Sequence, residues 1–325
     1  MPMGKTRRQG LVWSVIALVA VLVLVAVTVD WSRPDLPPDR SMATLHTEDD
    51  VGYIPVSAEP LEVSVKSPQA FVYDCEAGEI VYRKGEERVV YPASTTKLLT
   101  ILCALEYLSP HETVTPGDEL SLVGKGSSIA YVKEDHTLTV EMLIEGMLLP
   151  SGNDAAYALA AAAGHRIDPS VKGKKAVDVF LREMAAYGER IGLVGTRFTT
   201  PDGLAGDEHY STVEDIILIA RLAMENDIIR RYAALHEDSV TYASGHTNHW
   251  INTNALLDPD SPWYHKAVTG LKTGSLEANY CLIAAVEQEG RSYIIGVFGA
   301  RQKEQRYADA LAVIDVLFPR EAVAQ

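Results

Sequence analysis

The chain has 325 residues and a formal net charge of −15 at pH 7. Nucleic acid and anionic lipid are also negatively charged, so an acidic chain disfavours both as extensive partners. Three cysteines form a small, odd set, which disfavours a fold that depends on disulfides.

The first thirty residues have the pattern of a membrane segment. Residues 1–10 carry Lys5, Arg7 and Arg8 and no acid, and residues 11–29 carry no charge. As a helix, this apolar run spans nearly the about 30 Å core of a bilayer. The basic flank predicts a cytoplasmic tail at residues 1–10 and export of everything after Asp30.

Two interpretations of residues 11–29 remain open. The apolar run is longer than a usual signal core and reaches Val29 without a clear small-x-small cleavage site, which favours an uncleaved anchor. The alternative is a cleaved secretory signal. The expected location is therefore the cell membrane, by a single span with the rest of the chain outside, or secretion if the segment is removed.

Residues 30–60 are rich in proline and acid and show no sustained apolar period, which predicts a linker. Residues 61–320 are enough for one large domain, and residues 321–325 form a short tail. Strand-like runs near residues 72–82 and 281–298 each contain a hairpin signal, at residues 76–78 and 288–290. Between them, residues 94–250 are mostly helical by pattern, and a last helix is expected over about 305–317. This order predicts an α+β domain whose sheet joins the two ends.

Ser94 and Lys97 form the first chemical motif, within Pro-Ala-Ser-Thr-Thr-Lys. Apolar residues follow at helical spacing and stop before Pro110: Leu98, Ile101, Leu102, Leu105 and Leu108. The spacing predicts that Ser94 lies on the first turn of this helix, with Lys97 on the same face. A serine needs a nearby base to become a nucleophile, and a lysine held neutral can be that base.

Two further motifs follow in order. Residues 151–154, Ser-Gly-Asn-Asp, are predicted to form a loop between an apolar helix at 140–148 and another at 155–163 that ends at Gly164. Residues 270–274, Gly-Leu-Lys-Thr-Gly, open a run that reads as a strand at 280–286, with glycines that allow another backbone to approach. Ser-x-x-Lys, Ser-x-Asn and Lys-Thr-Gly in this order are typical of penicillin-binding proteins and class A β-lactamases.

On these motifs the chain resembles the D-alanyl-D-alanine carboxypeptidases, low-molecular-mass penicillin-binding proteins of the serine peptidase S11 type. The resemblance extends through residues 70–74, 198–204, 210–212 and 252–257. It implies a serine β-lactamase/penicillin-binding-protein-like fold, with an antiparallel sheet flanked by helices and a helical subdomain. The implied substrate is a peptidoglycan stem peptide ending in D-Ala-D-Ala, and β-lactam antibiotics are the implied acylating inhibitors.

The resemblance also implies roles for the catalytic residues. Ser94 would attack the carbonyl of the penultimate D-alanine while Lys97 takes its proton. Ser151 would pass a proton to the departing terminal D-alanine. Lys272 would supply the positive potential that keeps Lys97 neutral.

The remaining implied residues bind substrate. Asn153 would orient the substrate amide, and Lys272 with Thr273 would bind the terminal carboxylate. Gly274 lies beside them in the motif, and the backbone N–H of Ser275 would complete an oxyanion hole with that of Ser94.

Alternatives on the same fold stay open. A β-lactamase would need a glutamate-activated water, for which the sequence offers no convincing Glu-x-x-x-Asn stretch. A D,D-endopeptidase would differ only in the loops around the site. A sensor that binds penicillin without turnover would need an output domain, for which residues 1–10 leave no room.

The cysteines and histidines suggest no metal or cofactor. Cys75, Cys103 and Cys281 fall in apolar runs and are expected to be buried thiols. His246 and His249 have the spacing of zinc ligands on a helix, but the sequence shows no third ligand, so no metal and no cofactor are expected.

Overall fold

The computed structural model describes residues 52–319. The predictions for the tail at 1–10, the apolar segment at 11–29, the linker as far as residue 51 and the tail at 321–325 lie outside these residues. Within residues 52–319, no helix is both long enough and apolar enough to cross a membrane.

A five-stranded antiparallel sheet forms the centre of the fold, in the order β2-β1-β9-β8-β7. Its strands are β1 Gln69–Asp74, β2 Glu79–Lys84, β7 Val268–Leu276, β8 Asn279–Gln288 and β9 Arg291–Ala300. The first strand pairs with the last, with Gln69 opposite Phe298 and Asp74 opposite Tyr293. Both predicted hairpins and the closure of the sheet between the two ends of the domain are confirmed.

Helices occupy most of the chain between β2 and β7. They are α1 Lys97–Leu105, α2 Val140–Leu148, α3 Asn153–Ile167, α4 Gly173–Arg190, α5 Val213–Glu225 and α6 Asp227–Ala233, followed after the sheet by α7 Lys303–Leu317. Four short strands lie among them: β3 Thr113–Val114, β4 Leu138–Thr139, β5 Glu237–Thr241 and β6 Thr247–Ile251. The middle is therefore less helical than the sequence predicts.

The sheet separates two hydrophobic cores because side chains alternate between its faces. On β1, Phe71 and Tyr73 join the core formed with the helices between β2 and β7. Val72, between them, joins a smaller core formed with α7, which includes Tyr307 and Ile314. The edge of the sheet at β7 borders the helical part of the domain, and the candidate site lies there.

Two predicted helix boundaries are wrong. Ser94 lies in a 3₁₀ turn, Ala93–Thr96, and the α-helix begins only at Lys97. Gly164 does not end its helix, because α3 continues to Ile167. A Cβ at Gly164 would lie 1.9 Å from the carbonyl oxygen of Ala176 on α4, so this glycine permits close helix packing. The loop prediction at 151–154 also fails in part, since α3 already begins at Asn153.

The predictions for cysteine and histidine need further corrections. Within residues 52–319 none of the three cysteines forms a disulfide; Cys103 and Cys281 are buried as predicted, but Cys75 is partly exposed, just after β1. His246 and His249 lie on a hairpin instead of a helix, in the turn before β6 and within β6. Their spacing therefore does not place them on one helical face.

Candidate active site

Lys97 and Ser94 lie within hydrogen-bond distance. Lys97 Nζ donates to Ser94 Oγ across 3.0 Å, and the Lys97 side chain is fully buried at the start of α1. Ser94 itself is partly exposed, so a substrate can reach its hydroxyl. The 3₁₀ turn brings the two groups together because residues three apart eclipse each other in this tighter helix.

Two more acceptors surround the Lys97 amine. It donates to Asn153 Oδ1 at 2.7 Å and to the backbone carbonyl of Asp202 at 2.9 Å. An ammonium has three donors, and these three acceptors satisfy all of them. Burial lowers the pKa of Lys97 to about 8, against the nearby carboxylates of Asp202 and Asp154, which raise it.

Ser151 and Asn153 reach the site from the beginning of α3. Ser151 is buried and has a left-handed backbone with φ of 63°, a conformation that is uncommon outside glycine. Asn153 contacts Lys97 directly, whereas the Ser151 hydroxyl makes no hydrogen bond to Ser94 or Lys97 within residues 52–319. The structure therefore joins the first two motifs through Asn153.

Asp154 holds a loop beside this helix end. Its carboxylate accepts from the backbone N–H groups of Ala130 and Val132, at 2.7 and 2.8 Å, and from that of Ala155 at 2.9 Å. Trp250 Nε1 donates to the carbonyl of Ala130 from the other side, at 3.1 Å. The loop at residues 128–132 is thereby fixed next to Asn153.

Lys272 is buried on β7, in surroundings unlike those of Lys97. Within residues 52–319 its amine donates to a single acceptor, the carbonyl of Thr273, at 3.0 Å. Burial lowers the pKa of Lys272 well below its usual value, and the cations of Lys97 and Arg306 lower it further. In the free site burial, not the charge of Lys272, is therefore the main cause of the lowered pKa of Lys97.

The third motif, residues 270–274, lies within β7. The strand predicted at residues 280–286 is the next one, β8. A Cβ at Gly274 would lie 2.7 Å from the carbonyl oxygen of Pro92, so the glycine lets this strand approach the turn that carries Ser94. β7 is the edge of the sheet, so the backbone groups on its outer side are not used by β8. An extended peptide can pair with such an edge.

Neighbouring side chains hold Thr273 and Ser275. Thr273 Oγ1 lies 2.6 Å from Thr253 Oγ1, and Arg306 donates to Ser275 Oγ at 3.2 Å and to the carbonyl of Gly274 at 2.9 Å. Arg306 is almost completely buried. It therefore fixes the end of the motif and adds positive charge beneath it.

Sequence reasoning assigned no role to Asp202, Thr253 or Arg306. The first two lie in stretches that contribute to the resemblance, but their contacts involve a backbone carbonyl and a hydroxyl pair that no spacing reveals. Thr96 Oγ1 contacts His209 Nε2 at 2.8 Å, and burial lowers the pKa of His209 to about 4. This histidine is therefore neutral and supports the turn.

A hydroxyl next to a buried amine, with an edge strand and two further buried basic side chains opposite, is a site suited to serine acyl transfer on an anionic peptide. The chain belongs to the D-alanyl-D-alanine carboxypeptidase family of S11 peptidases, whose family model matches residues 55–302.

Several curated proteins are similar to the chain. It is 27% identical to D-alanyl-D-alanine carboxypeptidase DacF of Bacillus subtilis, over 79% of this chain and 63% of DacF. It is 31% identical to the D-alanyl-D-alanine carboxypeptidase of Streptomyces sp. strain K15, over 74% of this chain and 83% of that protein. With Escherichia coli DacA the identity is 32%, over 73% of this chain and 57% of DacA. The chain thus matches less than two thirds of the length of DacF and DacA.

Solved structures share the fold. The Streptomyces K15 DD-transpeptidase matches with a TM-score of 0.70 at 29% identity, over 79% of this chain and 98% of that one. Penicillin-binding protein D2 of Listeria monocytogenes, in an ampicillin-bound form, matches with a TM-score of 0.63 at 27% identity, over 78% and 98%. The mixed α/β architecture around an antiparallel sheet is therefore the one that these structures have.

Proposed function

We propose that the chain is a serine-type D-Ala-D-Ala carboxypeptidase, which removes the terminal D-alanine from peptidoglycan stem peptides. The observation that carries the proposal is the contact of 3.0 Å between Ser94 Oγ and the buried amine of Lys97. Burial lowers the pKa of Lys97 to about 8, so a useful fraction is neutral near neutral pH and accepts the serine proton.

The reaction then has two halves. Ser94 Oγ bonds to the carbonyl carbon of the penultimate D-alanine while its proton moves to Lys97, and the bond to the terminal D-alanine breaks. The departing amine takes this proton from Lys97 through the Ser151 hydroxyl, so Lys97 becomes neutral again. Water next hydrolyses the ester on Ser94, releases the shortened peptide and restores the hydroxyl.

Lys272 and Thr273 give the proposed specificity for a free carboxylate. Lys272 donates to a single acceptor within residues 52–319, the carbonyl of Thr273, and a substrate carboxylate would supply further acceptors through charge-assisted hydrogen bonds. The anion would raise the pKa of Lys272, which then takes a proton from solvent. The new cation would lower the pKa of Lys97 and favour its neutral, basic form. Substrate binding would thus activate the base.

Penicillin is expected to acylate Ser94 and to leave slowly. Two acids influence Lys97. Asp154 has its carboxylate occupied by backbone N–H groups, and the carboxylate of Asp202 is buried away from solvent and accepts from the N–H of Leu204, so neither is placed to activate water. A β-lactamase needs such a water-activating group. Rapid, sustained hydrolysis of penicillin by the purified chain would contradict this part of the proposal.

Transpeptidation is a second candidate, because the similar Streptomyces K15 protein is named a DD-transpeptidase. The two activities share the acyl-enzyme and differ only in whether water or an amine attacks it. Adding glycyl-glycine as an acceptor to the assay below distinguishes them, since a transpeptidase forms a new peptide product.

The test is release of D-alanine from diacetyl-Lys-D-Ala-D-Ala by the purified chain, beside Ser94→Ala and with penicillin added. Release by the unmodified chain alone, abolished by penicillin, supports the proposal. If Ser94 binds fluorescent penicillin but no D-alanine appears, the carboxypeptidase assignment is wrong, and cross-linked muropeptides then test an endopeptidase against a penicillin sensor.

We also propose a domain organisation and location from the sequence. Residues 11–29 would anchor the chain in the cell membrane, residues 30–60 would form a linker, and residues 61–320 would act outside the cytoplasm. The uncharged run and its basic flank support this arrangement. Cell fractionation tests it, because activity would stay with membranes for the full chain and become soluble when residues 1–29 are deleted.

A further inference from the structure

His136 is a buried side chain whose ring nitrogens have no hydrogen-bond partner among the described residues. It is 2% exposed, and neither Nδ1 nor Nε2 has a hydrogen-bond partner within residues 52–319. Buried polar atoms in folded proteins nearly always have one, because leaving them unpaired costs about 1–3 kcal/mol. The surroundings of His136 must therefore contain a group that can satisfy this ring.

Two other side chains of types that can ligate a metal lie close to the His136 ring. Asp135 Oδ1 lies 3.8 Å from His136 Nε2, and the rings of His136 and His246 have centroids 4.3 Å apart. One ligand atom from each of the three residues lies within 4.8 Å of the others. Asp135 precedes β4, whereas His246 lies in the turn between β5 and β6, so the fold unites segments far apart in sequence.

We propose that Asp135, His136 and His246 bind a divalent transition metal of the zinc class. Two imidazoles and a carboxylate are ligands that zinc takes in proteins, and a fourth position would hold water. Ligand atoms around tetrahedral zinc lie about 3.4 Å apart, given bonds of about 2.1 Å. The ligand atoms lie within 4.8 Å of one another, and rotation of the exposed side chains of Asp135 and His246 toward the buried ring of His136 would bring them to this distance.

The orientation of His246 suits metal binding. His246 Nδ1 lies 3.4 Å from Ser244 Oγ, which leaves its Nε2 for the metal. Such an outer hydrogen bond commonly orients a ligating histidine.

The metal would link two segments near the active site, the turn between β5 and β6 and the loop before β4. The hairpin turn and the loop before β4 already meet through their backbones, where the N–H of Ala243 donates to the carbonyl of Thr137 at 3.1 Å. The same loop continues back to Ala130 and Val132, which Asp154 holds beside Asn153. A metal joining Asp135 and His136 to His246 would cross-link these segments and stabilise the folded state by mass action.

The hairpin offers a matched control for the test. His249 lies three residues beyond His246, is also exposed, and faces Glu237 at 3.3 Å and Ser239 at 3.1 Å instead of the cluster. The tag-free full chain, stripped of metal, is titrated with Co²⁺ alone and with Zn²⁺ alone. Visible absorption reports the coordination of Co²⁺, and calorimetry reports the affinity for Zn²⁺.

The proposal expects one bound ion per chain, with absorption typical of tetrahedral Co²⁺, in the unmodified chain and in His249→Ala. His246→Ala and Asp135→Asn should bind at least about tenfold more weakly. Both changes are at exposed positions, so folding is retained, and the thermal midpoint without metal checks this. The absence of saturable binding by the unmodified chain, or equal loss in His246→Ala and His249→Ala, would overturn the proposal.

Discussion

Lys97 and Lys272 are equally buried lysines in two regions of the molecule, and their surroundings differ in kind. Lys97, from the helical part, has three hydrogen-bond acceptors, from Ser94, Asn153 and Asp202. Lys272, from the edge of the sheet, has one acceptor within residues 52–319 and two neighbouring cations. Burial lowers the pKa of both, but only Lys97 has nearby carboxylates that raise it again.

Under the proposed mechanism, this difference suits the two lysines to different tasks. With a pKa of about 8, Lys97 is mostly protonated at neutral pH but has a neutral fraction that grows as the pH rises, which suits a base. Lys272 has one acceptor within residues 52–319, so it can donate further hydrogen bonds when an anion arrives, which suits a carboxylate-binding group. Burial alone does not decide what a lysine does, because the acceptors and charges around it decide when it is neutral.

The largest expected effect on acylation comes from replacing Lys97. We expect Lys97→Met to slow acylation of Ser94 by about 10²- to 10⁴-fold, because no other base lies in hydrogen-bond contact with the hydroxyl within residues 52–319. The measurement is the second-order rate of labelling by fluorescent penicillin. Lys175→Met, at an exposed position on α4, is the control and should keep the full rate. Equal rates in both variants would remove Lys97 from the proposed mechanism.

Replacing Lys272 should affect recognition more than chemistry. We expect Lys272→Met to lower kcat/KM for a peptide with a free terminal carboxylate by about 10- to 100-fold, the value of a lost charge-assisted hydrogen bond. The matched substrate is the same peptide with a terminal amide. The variant should no longer distinguish the two substrates. A loss of the same size on both would mean that Lys272 acts on the reacting centre instead.

The pH dependence of acylation tests whether a nearby carboxylate raises the pKa of Lys97. Only the neutral form of Lys97 accepts the proton, so labelling by penicillin should rise with pH through about 8. The carboxylate of Asp202 raises the pKa of Lys97, so Asp202→Asn should move this rise to lower pH, with a gain below about tenfold on its acid side. Asp207→Asn, on an exposed part of the same loop, should leave the profile unchanged. A rise displaced to higher pH in Asp202→Asn would refute the argument.

The sequence predicts much of the fold and the three motifs, but not the contacts that hold the site residues together. The hairpins and the closure of β1 onto β9 follow from local apolar patterns and turn residues. Ser94 and Lys97 are recognisable because their chemistry depends on a fixed spacing. By contrast, the carbonyl of Asp202 leaves no trace in the sequence, and Gly164 has the pattern of a helix end although it permits packing against Ala176. The meeting of His136 with His246 likewise depends on tertiary structure alone.

The last expected effect concerns stability, and it separates the lysines by pH. A lysine whose pKa is lowered in the folded state takes up a proton on unfolding between its folded and unfolded pKa values, so its contribution to stability rises with pH across that window. For Lys97 the window runs from about 8 to 10.5. Burial and two cations lower the pKa of Lys272, whereas two carboxylates raise that of Lys97, so we expect the window of Lys272 to begin at lower pH. Lys97→Met and Lys272→Met lack these groups, so any stability they gain over the unmodified chain should shrink as pH rises.

Urea unfolding at a series of pH values measures this difference, with an expected change of about 3 kcal/mol across the window of Lys97, since one pKa unit corresponds to about 1.4 kcal/mol. The shrinkage should begin at lower pH for Lys272→Met than for Lys97→Met, because no carboxylate offsets the effect of burial on the pKa of Lys272. Subtracting the unmodified chain at each pH removes the contribution of groups that all three proteins share. If both differences change over the same pH range, the two surroundings do not separate the lysines, and the division of tasks between base and carboxylate-binding group loses its electrostatic basis.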